Sequence, residues 1–218
     1  MKRFKLLKIR EKPLVGYRYC LLILMLFSGL ALSSPKQVII VRHGDKLEQK
    51  IPGPFLSAKG QLRAMALANY YLETFGAPDA IIAANLVEKN SEVVSIRPVL
   101  TMVPLVNILT QKSQKVYPLL APYTHDNYKE LAHDLLMKAE YDKKNILVCW
   151  EHHRIRYLAQ ALGVKESIEV WPNSDFDTVY ILTFNHEGKV TSFVKKHNQY
   201  PVNFDGTWFD ILKKAGVK

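Results

Sequence analysis

Three histidines and one arginine stand just after short apolar runs of the sequence, and a second arginine stands at the entry to a helical pattern. The run at 37–41 empties into Arg42, His43, Gly44 and Asp45, and the run at 146–150 into Glu151, His152 and His153. The run at 79–84 precedes Arg97, which stands at the entry to a helical pattern. An imidazole exchanges protons near neutral pH and attacks electrophiles. A guanidinium fork grips oxyanions and keeps its charge. Taken singly, each is a common surface or structural residue. Their grouping at strand exits singles them out, because open α/β sheets bind ligands beyond the carboxyl ends of their strands.

The elements that must position these groups follow from the patterning. Apolar, β-branched residues on consecutive positions suit strands covered on both faces. Between them lie helical patterns at 56–75, 98–109, 128–139 and 154–162. The first carries an apolar stripe through Leu62, Ala66, Tyr70 and Leu72, with Ser57 as N-cap and Gly76 at the stop. The last ends at Gly163, and Pro104 is expected to shorten or kink the second. Strands alternating with helices form parallel pairs joined by right-handed crossovers. The expected fold is therefore α/β, a three-layer sandwich whose mostly parallel central sheet has helices on both faces. Residues 178–184 and 190–195 flank a turn at 185–188, which reads as an antiparallel edge hairpin. Beyond residue 197 periodicity is poor, and a short helix around 208–214 is the expectation.

Composition narrows the function classes. A chain of 218 residues with 48% hydrophobic and 23% charged residues is a folded protein of one ordinary domain. Its two cysteines, Cys20 and Cys149, are too few for a disulfide scaffold or a multi-cysteine zinc site. The net charge of +10 is concentrated in residues 1–18, which argues against a nucleic-acid-binding face spread over the fold. Residues 19–32 follow as an apolar run, with small residues at Ser28, Gly29, Ala31, Ser33 and Ser34. Basic segment, short apolar run and small residues are the order of a secretory signal, and the run is short for a stable membrane span. Residues 1–34 are thus expected to be a signal peptide or, if uncleaved, an N-terminal anchor tethering the protein to the inner membrane through residues 19–32. Residues 35–218 would be a single exported domain, periplasmic or secreted. Cys149 lies among apolar neighbours and reads as an inert buried thiol. Trp150 and Trp171 read as core.

Val41-Arg42-His43-Gly44 resembles the signature of the histidine phosphatase superfamily, also called phosphoglycerate mutase-like. Leu56, Ser57, Ala58, Lys59, Gly60, Arg63 and Ala64 are similar to that family's helix opening. Arg97 with Thr101 matches its second arginine and helix threonine, and residues 146–152 resemble the strand that ends in its second histidine. The four segments run in the family's order over about residues 36–184.

The resemblance implies a phosphomonoesterase without cofactor or metal, acting on a small phosphorylated substrate. His43 would be the nucleophile that becomes transiently phosphorylated. Gly44 would let the backbone turn sharply after the strand. Arg42 and Arg97 would clamp the phosphoryl oxygens, and His152 would complete the cradle. The general acid is expected at Asp126, the only carboxylate of 118–128, with Glu151 and Asp45 as competitors. Each competitor could instead orient a histidine, and Asp126 could instead cap the helix that follows. The sequence departs from the family in placing His153 where a glycine usually follows the second histidine, and in lacking an asparagine soon after Arg-His-Gly. The latter weakens a mutase reading, which export and the limited chain length also disfavour. A catalytically silent phosphate-binding domain is the further alternative. The substrate itself and the oligomeric state are not legible.

Overall fold

The structure, a computed structural model, describes residues 33–47, 53–87 and 93–202. The expected signal or anchor and the expected helix around 208–214 lie outside the described residues, apart from Ser33 and Ser34. A six-stranded sheet in the order β5-β2-β6-β1-β7-β8 is built from β1 (Gln37–Arg42), β2 (Ala80–Ala83), β5 (Leu119–Leu120), β6 (Asn145–Trp150), β7 (Val179–Phe184) and β8 (Val190–Lys196). β1 pairs in parallel with β6, and β2 in parallel with both β6 and β5. β7 runs antiparallel to β1, and β8 closes the edge as its hairpin partner. The expected hairpin is thus present, with β7 paired to the central strand. Two elements were not expected: the short β5, and a separate ribbon of β3 (Leu86–Val87) and β4 (Val93–Ser95). Two- and three-residue strands are too short to show a periodicity.

Alternate strand residues point to opposite faces, and each face has its own core. Val38, Ile40, Ile82, Ile146 and Val148 pack with Leu131 and Leu135 of α3 (Tyr128–Met137) and with Ile155 and Leu158 of α4 (His152–Ala161). Ile39, Val41, Ile81 and Leu147 pack with Leu67 and Tyr71 of α1 (Ala58–Phe75) and with Met102 and Leu105 of α2 (Arg97–Ser113). The result is the three-layer α/β sandwich, its sheet mostly parallel with antiparallel strands at one edge. Trp150 and Trp171 both belong to the α3–α4 side of the core. Cys149 is fully buried, and that burial pushes its thiol well up from the ordinary range.

The helix ends follow local chemistry. Ser57 caps α1 by accepting from the Gly60 amide at 3.0 Å, and Gly76 stops it at φ 74°. α2 passes through Pro104 without ending, because Met102, Leu105 and Leu109 on either side of it are buried against the sheet. α3 stops at Met137, and a single 3-10 turn covers Ala139–Tyr141. Ser33 and Ser34 are part of the packed chain: Ser33 Oγ donates to Lys138 O at 2.7 Å and Ser34 Oγ to Asn185 O at 2.9 Å.

Candidate active site

The carboxyl end of β1 delivers Arg42 and His43, both almost wholly buried. His43 Nδ1 lies 2.7 Å from the carbonyl of Gly44. A carbonyl only accepts, so Nδ1 carries the proton and Nε2 keeps the lone pair. Burial, reinforced by the positive charges of Arg42 and Arg97, holds the imidazole down at about 3, against an opposing pull from the Gly44 carbonyl and Glu151. The ring is therefore neutral at physiological pH, the state a nucleophile requires.

Gly44 does not take up a positive φ, so the turn after the strand does not itself demand glycine. Its requirement is spatial: a Cβ there would come within 2.6 Å of Gly60 O, where α1 crosses beneath the turn. The Gly44 amide donates to Thr101 Oγ1 at 2.9 Å, and that hydroxyl donates in turn to Arg97 O at 2.7 Å. The threonine thus fixes the first strand exit to the start of α2. The Ser57 amide donates to Asp45 O at 2.9 Å and ties the same turn to α1.

Arg97 opens α2 and donates from a terminal nitrogen to Gly53 O at 2.6 Å. Glu151 caps α4 by accepting from the His153 amide at 2.9 Å, which starts that helix at His152, two residues before the pattern suggested. His152 is buried, with Nε2 2.7 Å from Asn173 Oδ1 and Nδ1 2.6 Å from Glu151 Oε1. The latter pair is close, but Nδ1 is not aimed to hydrogen-bond the carboxylate. Burial pushes the Glu151 carboxyl up, but the two adjacent histidines outweigh it and hold the group below its usual range.

Arg42, His43, Arg97 and Glu151 all lie within one another's electrostatic reach. Burial lowers both arginines, Arg42 to about 10, so both stay charged at neutral pH. Among the described residues, three buried polar atoms in this cluster have no hydrogen-bond partner: Arg42 Nε, Arg97 Nε and His152 Nδ1. Buried donors are ordinarily satisfied, and oxyanion oxygens are acceptors only. The arrangement is chemically suited to hold a tetrahedral oxyanion next to a neutral imidazole nitrogen.

The other two carboxylates weighed from the sequence sit elsewhere. Asp45 is buried in an ion pair with Arg63, whose Nε lies 2.5 Å from Oδ2, and serves to lock the first turn to α1. Asp126 is largely exposed and is gripped by Arg154 Nε at 2.8 Å and by a terminal nitrogen of the same residue at 2.7 Å. Among the described residues no contact joins Asp126 to His43. Nor does Asp126 cap α3, whose N-cap is Asn127.

Sequence reasoning missed the segment between α4 and β7. Pro172, Asn173 and Asp175 turn their carbonyls onto a terminal nitrogen of Arg42 at 3.1, 2.9 and 2.6 Å. The Phe176 ring lies 3.7 Å below the same guanidinium and 6.4 Å from the His43 ring. Trp171 Nε1 donates to Asp175 O at 2.9 Å and anchors the loop in the core. The signal that could have found it was Trp171 followed by Pro172, an apolar anchor next to a rigid turn.

No protein-family model matches this sequence, and no curated protein matches it. Solved structures do. A protein histidine phosphatase SixA complexed with tungstate is 15% identical, covering 74% of this chain and 96% of its own, with a TM-score of 0.47. A mycobacterial glucosyl-3-phosphoglycerate phosphatase with inorganic phosphate is 14% identical, covering 74% and 95%, with a TM-score of 0.45. A phosphoglycerate mutase from Bacillus anthracis is 13% identical, covering 78% and 95%, with a TM-score of 0.45. All are phosphatases or a mutase by name, the kind of protein the sequence resembles. Likenesses of this size carry no weight on activity, which rests on the site.

Proposed function

We propose that the protein is an exported phosphomonoesterase that works through a phosphohistidine on His43. The observation that carries the reading is the set of unpartnered buried donors, Arg42 Nε and Arg97 Nε with His152 Nδ1, beside an imidazole kept neutral with Nε2 free. The phosphoryl dianion enters this cradle and is held by the two guanidinium groups. His152, held by Asn173 Oδ1 at Nε2, offers a hydrogen bond from Nδ1 to a third phosphoryl oxygen.

Nε2 of His43 then attacks phosphorus as the bond to the leaving oxygen breaks, and the positive arginines stabilise the charge on the equatorial oxygens. The leaving oxygen needs a proton. Of the three carboxylates weighed, Glu151 is the one that acts electrostatically on His43, so we assign the proton to it. A bound dianion opposes the histidines' pull on Glu151 and favours its protonated form. In the second half-reaction water gives a proton to Glu151, attacks phosphorus and releases inorganic phosphate, restoring His43.

The test is hydrolysis of p-nitrophenyl phosphate by the full-length chain in detergent, with the phosphorylated residue trapped by mass spectrometry after an acid-free quench. Activity without added divalent metal, and phosphate on His43 only, are expected. Unchanged activity in His43→Ala overturns the proposal. Tight phosphate binding with no phosphoenzyme would instead identify a silent binding domain.

A further inference from the structure

Glu151, His152 and His153 bring a carboxylate oxygen and two ring nitrogens within 4.8 Å of one another. His153 takes no part in the chemistry above. Its side chain is largely exposed, stacks on His152 with ring centroids 3.8 Å apart, and presents Nε2 to Glu151 Oε1 at 3.8 Å. His152 is only 5% exposed, yet among the described residues its Nδ1 makes no well-aligned hydrogen bond, Glu151 Oε1 lying 2.6 Å away but off its axis. Its Nε2 is engaged by Asn173 Oδ1 at 2.7 Å, so Nδ1 is the ring nitrogen left to take a ligand. Metal-bound histidines have this form, one nitrogen on the ion and the other N–H donated to a carbonyl oxygen.

We propose that these three side chains form a Zn2+ site that shuts the enzyme off. The regulatory half rests on the phosphatase reading; the site itself does not. Two imidazoles and a carboxylate suit zinc and its borderline neighbours rather than Mg2+ or Ca2+, which favour oxygen ligands. Three protein ligands also leave the open fourth position common at non-structural zinc sites. Bonds of about 2.0–2.1 Å place tetrahedral ligand atoms about 3.3 Å apart. The Nδ1–Oε1 contact must therefore open from 2.6 Å, and His153 Nε2 must close in from 3.8 Å, both small side-chain movements.

The charges of Arg42 and Arg97 act on Glu151 and oppose a cation. An ion held by charge alone is thus disfavoured, and the occupant must form strong bonds to neutral imidazole. Inhibition follows from competition for one atom: the metal takes His152 Nδ1, the nitrogen assigned to the phosphoryl group, and Glu151, the proton carrier, is occupied as well.

The experiment titrates Zn2+ into untagged, full-length Cys20→Ser protein in detergent by calorimetry in a non-coordinating buffer, with p-nitrophenyl phosphate hydrolysis followed in parallel. One zinc ion per chain is expected, with hydrolysis lost as the site fills, restored by EDTA and unaffected by Mg2+. His153→Ala should keep the zinc-free rate within about threefold while weakening both zinc binding and zinc inhibition at least tenfold, as loss of a ligand requires. No zinc binding, or equal affinity in His153→Ala, overturns the site. Binding that leaves hydrolysis untouched overturns the inhibition. A protein inactive without zinc overturns the phosphatase reading and the inhibition together, and the isotherm alone then upholds or overturns the site.

Discussion

Asn173 Oδ1 accepts from Nε2 of His152 across 21 residues of sequence, at 2.7 Å. The contact sets which nitrogen of His152 faces the cradle. Asn173→Ala is expected to lower kcat about tenfold or more, the size of effect seen when the partner orienting a functional histidine is removed. Steady-state kinetics on p-nitrophenyl phosphate, with KM moving less than kcat, would check it. Asn173→Asp, which keeps an acceptor, should recover part of the rate.

The Gly44–Gly60 crossing is too close for a side chain. Gly44→Ala pushes a methyl into the Gly60 carbonyl, and Gly60→Ala pushes one into the backbone of Asp45. Each should destabilise the fold by about 1–3 kcal/mol, the usual cost of overpacking. Each should also displace His43 and depress kcat. Urea denaturation and single-point kinetics measure the two effects separately.

Asp45 and Arg63 form a buried pair whose side chains are 10% and 8% exposed. Removing Arg63 leaves the Asp45 carboxylate only the partly exposed Lys59, 3.7 Å away, so Arg63→Met is expected to cost up to about 3–5 kcal/mol of stability. Chemical denaturation reads this directly. A loss of activity with full stability would instead make Asp45 a participant in the chemistry.

His43 makes stability depend on pH. The folded imidazole is held at about 3, against an ordinary value of 6.5. Between those values the unfolded chain binds a proton that the folded chain does not, so stability rises with pH across this window. The contribution is complete above 6.5 and is lost as pH falls toward 3. In phosphate-free buffer, the Tm of the wild type should therefore drop more steeply from pH 7 to pH 4 than that of His43→Asn. Parallel curves would show that the imidazole is not held neutral.

The carboxylates separate by substitution. Glu151→Gln should lower kcat on a poor leaving group by about 100-fold to 10,000-fold, the range for a lost general acid, and much less on p-nitrophenolate, which leaves without a proton. Asp126→Asn removes only exposed contacts with Arg154 and His125 and should leave kcat within about threefold. The reverse result would return the acid to Asp126.

Most of the cradle was legible in the sequence. Arg42, His43, Arg97, Glu151 and His152 could be located because each follows a strand or opens a helix whose patterning is strong, and because side-chain type alone announces their chemistry. Ser57 and Gly76 set the bounds of α1 by capping chemistry that acts within a few residues. At Gly44 the constraint was not legible, since the obstacle to a side chain is a backbone oxygen 16 residues away.

Residue types and their spacing determined the layered fold, the strand exits and the placement of Arg42, His43 and Arg97 at a strand end and a helix start, because those depend on local periodicity and intrinsic side-chain chemistry. Tertiary structure decided which carboxylate faces the site. Asp45 and Asp126 are as acidic as any aspartate until Arg63 and Arg154 reach them. It also brought in the 172–176 loop, which binds Arg42 through backbone carbonyls. Every residue carries such a carbonyl, so no residue type announces it, and only the folded path of the chain decides where it points.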